Sequence, residues 1–312
     1  MAVTVVGSIH VDFYILVERF PRPGETLIGH GYHFSPGGKG ANQAVGCGRL
    51  GERTFMVGRI GRDFKDYLLD NFRSNNVNVD FVKVDDHRNT GVAFIILNEK
   101  TRENMIFVDP GADYHLSTAD VDDALPAMEE SRVVLLQMEI PGAVNKRAAE
   151  IARSLGKVVI LNPAPVSGDV YEIAKHVHVI TPNAVEAEYI SGVPVTDANS
   201  AARAGRKILE LGPEHVVVTL GARGAVLVTR DEALYYPAFR VEPVDTTGAG
   251  DAFNAGLAVA ISRGLPMEEA VLWGVAAGAI KVTKMGAQAG LPREGELLDF
   301  LDRNRDYSYT RL

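Results

Sequence analysis

The chain has 312 residues, of which 46% are hydrophobic and 23% charged, with a formal net charge of −8. That balance belongs to a globular chain long enough for a large core, and its acidity argues against nonspecific binding to nucleic acid. The single cysteine, Cys47, excludes an internal disulfide; no apolar run reaches a membrane span, and M-A-V-T-V-V-G at the start lacks the regions of a secretory signal, so a cytoplasmic location is expected.

Residues 3–9 form a continuous apolar run, which predicts a buried parallel strand. Residues 11–19 predict a second strand with Asp12 near its start, and P-R-P-G at 21–24 a turn. Residues 27–34 are mixed and extended, so this region reads as an antiparallel pair set apart from the first strand. P-G-G-K-G-A-N-Q, residues 36–43, opens a small-residue helix over 41–50 that Gly51 ends. Gly46, Gly48 and Gly51 spell G-x-G-x-x-G there, but a dinucleotide fingerprint belongs at a strand-to-helix turn, not within a helix. Cys47 in the same helix reads as a packing residue.

Residues 54–60 predict a strand, 63–75 a helix, and 89–98 with 104–108 a hairpin around E-K-T-R. From residue 132 the pattern becomes regular. Strands are expected over 132–137, 158–161, 177–180 and 215–219, and helices over 142–155, 183–191 and 198–211. This alternation implies an α/β fold, a doubly wound and mostly parallel sheet with helices on both faces. Residues 224–229 and 233–236 predict a hairpin, 239–244 an extended segment, and 252–263, 267–284 and 294–303 three helices; the polar tail, 305–312, is expected to fray. The whole of 1–312 reads as one domain, with a small β subdomain from insertions at roughly 11–36 and 89–109.

The chemistry concentrates in D-T-T-G-A-G-D-A-F-N-A-G, residues 245–256. Its small residues can leave backbone N–H groups free where a helix begins, which makes an anion site. Asp251 in that first turn is either a helix-start carboxylate or a general base beside a phosphate cradle. P-G-G-K-G-A-N-Q is not a Walker A motif, since no Ser or Thr follows the lysine. It is either a tight turn or a place where backbone approaches a polar ligand, with Lys39 and Asn42 in contact. Asp12, just past the first strand, suits vicinal hydroxyls or is a turn acid. Asn183 and Glu186 share a helix face; they form a capping box, or hold Mg²⁺ through water. T-L-G-A-R-G, residues 219–224, is a tight turn or a passage for nucleotide phosphates. No Cys and His occur at metal-ligand spacing, and Arg303, Arg305 and Arg311 read as a solvated face.

Taken together, P-G-G-K-G-A-N-Q-A near residue 40 and D-T-T-G-A-G-D-A-F-N-A-G near 250 resemble the ribokinase-like carbohydrate kinases, also called the phosphofructokinase-B type. P-G-E-T at Pro23, L-N-P-A-P at Leu161, T-P-N-A-V-E at Thr181 and G-A-Q at Gly286 extend the resemblance over almost the whole chain. Within that family the motifs are most similar to the ribokinase subgroup. The resemblance implies a doubly wound domain with a β-sheet lid, often paired as a homodimer, and transfer of the γ-phosphoryl of ATP to the 5-hydroxyl of D-ribose. A nucleoside, ribose 1-phosphate or another sugar or sugar acid is the alternative acceptor. It further implies Asp251 as base, an anion hole at Gly248, Ala249 and Gly250, and sugar contacts from Asp12, Gly38, Lys39, Asn42 and Glu139. Nucleotide contacts would come from Asn183, Thr219, Gly221, Gly224 and Gly250, with Mg²⁺ held through water on Glu186. Asp245 and Thr247, with backbone near Lys281, Lys284, Gly286 and Gly290, match a site for an activating potassium ion, although Gly290 stands where the family often has serine. His10 stands where ribokinases usually carry a sugar-contacting asparagine: it either still hydrogen-bonds a ribose hydroxyl or, with Phe13, Tyr14, Met105 and Phe107 making the expected lid aromatic and apolar, marks a larger or less polar acceptor such as a nucleoside.

Overall fold

The computed structural model describes residues 1–101 and 103–312. It begins with β1 (Ala2–Val6), β2 (His10–Val17), β3 (Tyr32–Gly37), α1 (Lys39–Arg49), β4 (Arg53–Gly61), α2 (Lys65–Ser74), β5 (Val77–Asp85), β6 (Gly91–Asn98) and β7 (Asn104–Asp109). There follow α3 (Thr118–Asp123), α4 (Leu125–Glu130), β8 (Val133–Gln137), α5 (Gly142–Ser154), β9 (Val158–Asn162), α6 (Val170–Ile173), β10 (Val179–Ile180), α7 (Ala184–Ser191), α8 (Ala198–Leu209) and β11 (His215–Thr219). The last part holds β12 (Ala225–Val228), β13 (Ala233–Tyr236), α9 (Ala249–Ser262), α10 (Met267–Val282), α11 (Glu294–Arg303) and β14 (Thr310–Arg311).

A 10-stranded sheet runs in the order β14-β13-β12-β11-β10-β9-β8-β1-β4-β5. From β11 to β5 every neighbouring pair is parallel, and β12, β13 and β14 add an antiparallel edge. The strands are apolar on both faces because helices cover both. The two-residue period of a strand then divides each one between two cores. In β8, Val133 and Leu135 pack with α1, α9 and α10, while Val134 and Leu136 pack with α5, α7 and α8. This is the doubly wound α/β fold expected from the alternation.

The glycines of the helical G-x-G-x-x-G do packing work. A Cβ on Gly46 would fall 2.6 Å from the Ala255 Cβ, so this is where α1 touches α9. A Cβ on Gly48 would fall 2.0 Å from the carbonyl oxygen of Asn75. Close contact of α1 and α9 matters because both carry site residues on their first turns.

A second, 4-stranded sheet has the order β3-β2-β6-β7. β2 and β6 run parallel and the outer pairs antiparallel, so the expected antiparallel pair and hairpin are joined edge to edge. Phe13 stacks on Phe94 with ring centroids 5.4 Å apart and also meets Phe34 and Phe64. Ile15, Tyr32, Phe94, Met105, Ile106 and Phe107 remain exposed.

The structure departs from the sequence expectations in four places. Residues 305–312 do not fray: Thr310 and Arg311 pair with Tyr235 and Leu234, and the Tyr307 hydroxyl donates to the Pro237 carbonyl at 2.7 Å. The edge of β13 has unpaired backbone groups that the tail satisfies. Residues 239–244 join neither sheet; Phe239 instead packs on Phe300 and Tyr307. β5 and the short helices α3, α4 and α6 went unrecognised, because the alternation of V-N-V-D-F-V-K-V-D changes phase between Phe81 and Val82 and helices of four to six residues carry little periodicity. The α1 helix starts at Lys39 rather than at 41, since Gly38 takes the left-handed φ of 85° that lets the chain turn there. Arg102, within E-K-T-R, lies outside the described residues. Among the described residues no helix is long and apolar enough to cross a membrane.

Candidate active site

Parallel strands deliver their carboxyl ends to one side of the sheet, and open α/β sheets bind ligands there. Ser8 follows β1, Glu139 follows β8, Asn162 ends β9, Thr181 and Asn183 follow β10, and Thr219 ends β11. These ends meet the first turns of α1 and α9 around a cleft of about 210 Å³ lined by Lys39, Asn162, Thr181, Asn183, Glu186, Thr219, Gly248, Ala249, Gly250, Asp251 and others.

Gly248 caps α9 with a left-handed φ of 78°. The Ala249 N–H turns back to the Thr246 carbonyl at 3.1 Å, while the N–H groups of Gly250 and Asp251 have no acceptor among the described residues. Those two free donors and the helix dipole make the anion site. Asp251 lies beside them, buried at 6% exposure. Its carboxylate accepts from Asn42 Nδ2 at 2.8 Å and from Gln43 Nε2 at 3.0 Å. Burial raises its pKa above the ordinary carboxylate value, against the opposing pull of Lys39, Gln43 and Asn42. A carboxylate so placed is held in one orientation and is a better proton acceptor than a solvated one.

Lys39 shares the cleft. Burial opposes its charge, but the carboxylates of Asp251, Glu139, Glu186 and Asp12 outweigh that and raise its pKa. Glu139 in turn accepts from Ser8 Oγ at 2.5 Å and from the Lys39 N–H at 2.9 Å, which ties β1, β8 and α1 together. Asp12 projects from β2 and is 8% exposed, not a solvated turn acid. Burial, opposed by His10 and reinforced by Glu139 and Asp251, pushes its pKa up to about 6. Glycine is required opposite it, since a Cβ on Gly37 would fall 2.2 Å from Asp12 Oδ2. Gly38 fills the left-handed turn already described, and its own Cβ would sit 2.8 Å from the His10 nitrogen. Among the described residues Asn42 Oδ1 is buried without a partner, able to accept from a ligand hydroxyl.

His10 does not stand alone. Its Nε2 lies 2.9 Å from Asp113 Oδ2, with both side chains buried. Burial disfavours the imidazolium, but the Asp113 carboxylate more than restores it, so the His10 pKa is raised. Asp113 also accepts from the Ile9 N–H at 2.9 Å.

On the opposite side of the cleft Asn183 and Glu186 form a full capping box: Asn183 Oδ1 accepts from the Glu186 N–H at 2.9 Å, and Glu186 Oε2 from the Asn183 N–H at 2.8 Å. Both also line the cleft, so the capping role and a ligand role coexist. Burial raises the Glu186 pKa, with the Asn183 hydrogen bond and Lys39 opposing. One carboxylate and one amide at an open cleft suit Mg²⁺, which keeps most of its waters. Thr219 lines the cleft, but Gly221 and Gly224 do not. They shape the turn after β11, where a Cβ on Gly224 would strike the Tyr236 carbonyl oxygen at 1.9 Å.

The residues expected to surround a potassium ion lie together, but their centre is filled. The Lys281 side chain turns inward, and its ammonium donates to the Asp245 carbonyl at 2.8 Å and the Lys284 carbonyl at 3.3 Å. Asp245 also accepts from the Thr247 and Gly286 N–H groups at 2.9 and 2.8 Å. The cluster therefore does not fit a metal ion in the way the resemblance implied.

Several site residues escaped the sequence reading. Gln43 is fully buried, donates to Asp251 and to Asn162 Oδ1 at 3.1 Å, and accepts from Gln137 Nε2 at 2.7 Å. Asn254 donates to the Gly250 carbonyl at 2.9 Å and accepts from the Thr181 hydroxyl at 2.7 Å. Each sat inside a quoted motif; only Asn254, one helical turn after Asp251, carried a local signal, an amide beside a candidate base. Asp113 had none, being 104 residues from its backbone partner Ile9.

Comparison with known proteins agrees with this geometry. A family model described as pfkB family carbohydrate kinase matches residues 2–294. A ribokinase of Haemophilus influenzae is 39% identical over 300 residues, covering 96% of this chain and 98% of that protein. Among solved structures, a ribokinase from Thermotoga maritima superimposes with a TM-score of 0.89 at 38% identity, covering 96% of this chain and 99% of that one. An Arabidopsis thaliana ribokinase complexed with ribose and ATP does so with a TM-score of 0.89 at 31% identity, covering 96% and 98%. Fold, site and sequence agree that this chain belongs to the pfkB family of carbohydrate kinases, phosphotransferases that act on a sugar hydroxyl.

Proposed function

We propose that this enzyme transfers the γ-phosphoryl group of ATP to the primary 5-hydroxyl of D-ribose. The buried Asp251 carboxylate beside the free N–H groups of Gly250 and Asp251 carries the reading. Asp12, Gly38, Lys39, Asn42 and Glu139 hold the sugar, and Asn183 and Thr219 the nucleotide, with Gly221 and Gly224 shaping the turn beside it. The sugar oxygen forms a bond to γ-phosphorus as the bond to the ADP oxygen breaks, and the hydroxyl proton passes to Asp251. The anion hole expected at Gly248–Gly250 is made by the free N–H groups of Gly250 and Asp251, since Ala249 spends its own on Thr246; with Lys39 nearby it offsets charge on the group in flight. Glu186 would hold Mg²⁺ through water, and the ion would supply charge neutralisation to the nucleotide phosphates. The small sheet acts as a lid that excludes water. A cytoplasmic location goes with ATP as co-substrate.

An ATP-consumption assay over ribose, 2-deoxyribose, adenosine, cytidine, ribose 1-phosphate, fructose and 2-keto-3-deoxygluconate tests the acceptor. Ribose should give the highest kcat/KM. Asp251→Asn should lower kcat by about 10²–10⁴-fold and leave nucleotide binding intact. Near-normal turnover of that variant refutes the base assignment.

His10 favours one second reading, a different acceptor. An imidazole held by Asp113 is bulkier than the asparagine it replaces and already has a partner. Another sugar or a nucleoside winning the screen, with His10→Asn restoring ribose, supports it. We also propose a homodimer through the lid, supported by the exposed Ile15, Tyr32, Phe94, Met105, Ile106 and Phe107. A light-scattering mass of one subunit at working concentration rules it out.

A further inference from the structure

Lys281 is 0% exposed, on the last turn of α10. A buried ammonium survives only where oxygen atoms replace its water. Here two carbonyls accept its hydrogens, at 2.8 Å from Asp245 and 3.3 Å from Lys284, and Asp245 Oδ2 stands 3.6 Å away. The same Asp245 carboxylate receives the Thr247 N–H at 2.9 Å and the Gly286 N–H at 2.8 Å. Thr247 directly precedes Gly248, the cap of α9. The ammonium thus anchors the root of the anion-hole loop without reaching the cleft.

Gly290 completes the fit. A Cβ there would fall 3.0 Å from Lys281 Cε, 2.9 Å from the Gly286 carbonyl oxygen and 3.2 Å from that of Lys284. The lysine stem uses the space that a side chain at 290 would take. A monovalent metal ion would need the same oxygens and would meet a like charge among them. Potassium and ammonium have nearly equal ionic radii, so one can stand in for the other.

We propose that the Lys281 ammonium is this enzyme's built-in monovalent cation, so that the anion-hole loop is ordered and phosphoryl transfer proceeds without potassium. Lys281 is a positioning residue: it acts on the loop through Asp245 and touches no reactant. Only the activity arm of the test rests on the proposed function.

The enzyme is exchanged into tetramethylammonium salts and titrated with potassium chloride, following ADP formation and the thermal midpoint. The wild type should change less than about twofold in kcat and show no potassium-dependent rise in Tm, since ligand binding to the folded state alone would raise it. Lys281→Ala opens the oxygen cluster; it should lose at least about tenfold in kcat, roughly 1.4 kcal/mol of barrier, and recover both activity and Tm when potassium is added. Lys281→Met keeps most of the stem without the charge, so it should lose activity and gain nothing from potassium.

A wild type that needs potassium, or whose Tm rises with it, overturns the proposal. So does a Lys281→Ala variant fully active without any monovalent cation. If Lys281→Ala does not fold, the wild-type titration decides alone. Absence of ADP formation with every acceptor in every salt would count against the proposed function, and the Tm titration would still judge the role of Lys281.

Discussion

Replacing Gln43 by leucine removes a hub that touches the base without touching substrate. The side chain is fully buried and joins Asp251, Asn162 and Gln137, at 3.0, 3.1 and 2.7 Å. Leucine fills similar space and makes none of these bonds. The bond to the Asp251 carboxylate is charge-assisted, worth about 1.5–3 kcal/mol, and the Gln137 amide left without an acceptor costs about 1–3 kcal/mol. Together the loss is roughly 2.5–6 kcal/mol, a large share of the about 5–15 kcal/mol that holds a domain folded. Urea denaturation should show it as a lower midpoint with unchanged slope. The second readout separates positioning from mere packing. Gln43 is one of the groups that lower the Asp251 pKa, against the burial that raises it. Without it the carboxylate protonates more readily, and the acid limb of the kcat/KM profile moves to higher pH. Gln43→Glu should move it further, because a second carboxylate would then face Asp251. An acid limb that stays in place in Gln43→Leu, with the fold intact, refutes the argument that this amide tunes the base.

The His10–Asp113 pair predicts a pH dependence of stability. The folded His10 pKa, about 9, lies above its ordinary 6.5, so its stabilisation is complete below about pH 6.5 and is lost as pH rises through 9. Asp113→Asn should abolish that slope in thermal melts and cost about 3–5 kcal/mol near neutrality by leaving a buried imidazole without its counter-charge; an unchanged slope refutes the pairing. Gly46→Ala should force α1 from α9, since its Cβ would fall 2.6 Å from Ala255, at a cost of about 1–3 kcal/mol. Because Asn42 and Gln43 ride on α1 and Asp251 on α9, kcat should fall with stability; full activity would show that the helix spacing does not set the site.

The local parts of this protein were legible in the sequence because local chemistry specifies them. The continuous apolar strands and their alternation with helices foretold a sheet buried on both faces. The small residues before Asp251 foretold a helix start with free N–H groups, and Asn183 and Glu186 their own capping box. Each of these depends on residues within a turn or two of one another. What joins distant segments was not legible. Asp251 and Gln43 are separated by 208 positions, Asp113 and Ile9 by 104, and no periodicity links either pair. The tail looked frayed because nothing local holds it; the free edge of β13 does. In the sequence Lys281 lay near the end of the helix expected over 267–284, with only its backbone of interest. Burial decided otherwise: packing of α10 took its ammonium out of water, and the carbonyls of Asp245 and Lys284 were the oxygens within reach. Sequence determined which groups could act as base, cradle and clamp; only the tertiary structure decided which oxygen each nitrogen meets, because desolvation makes every unpaired partner costly.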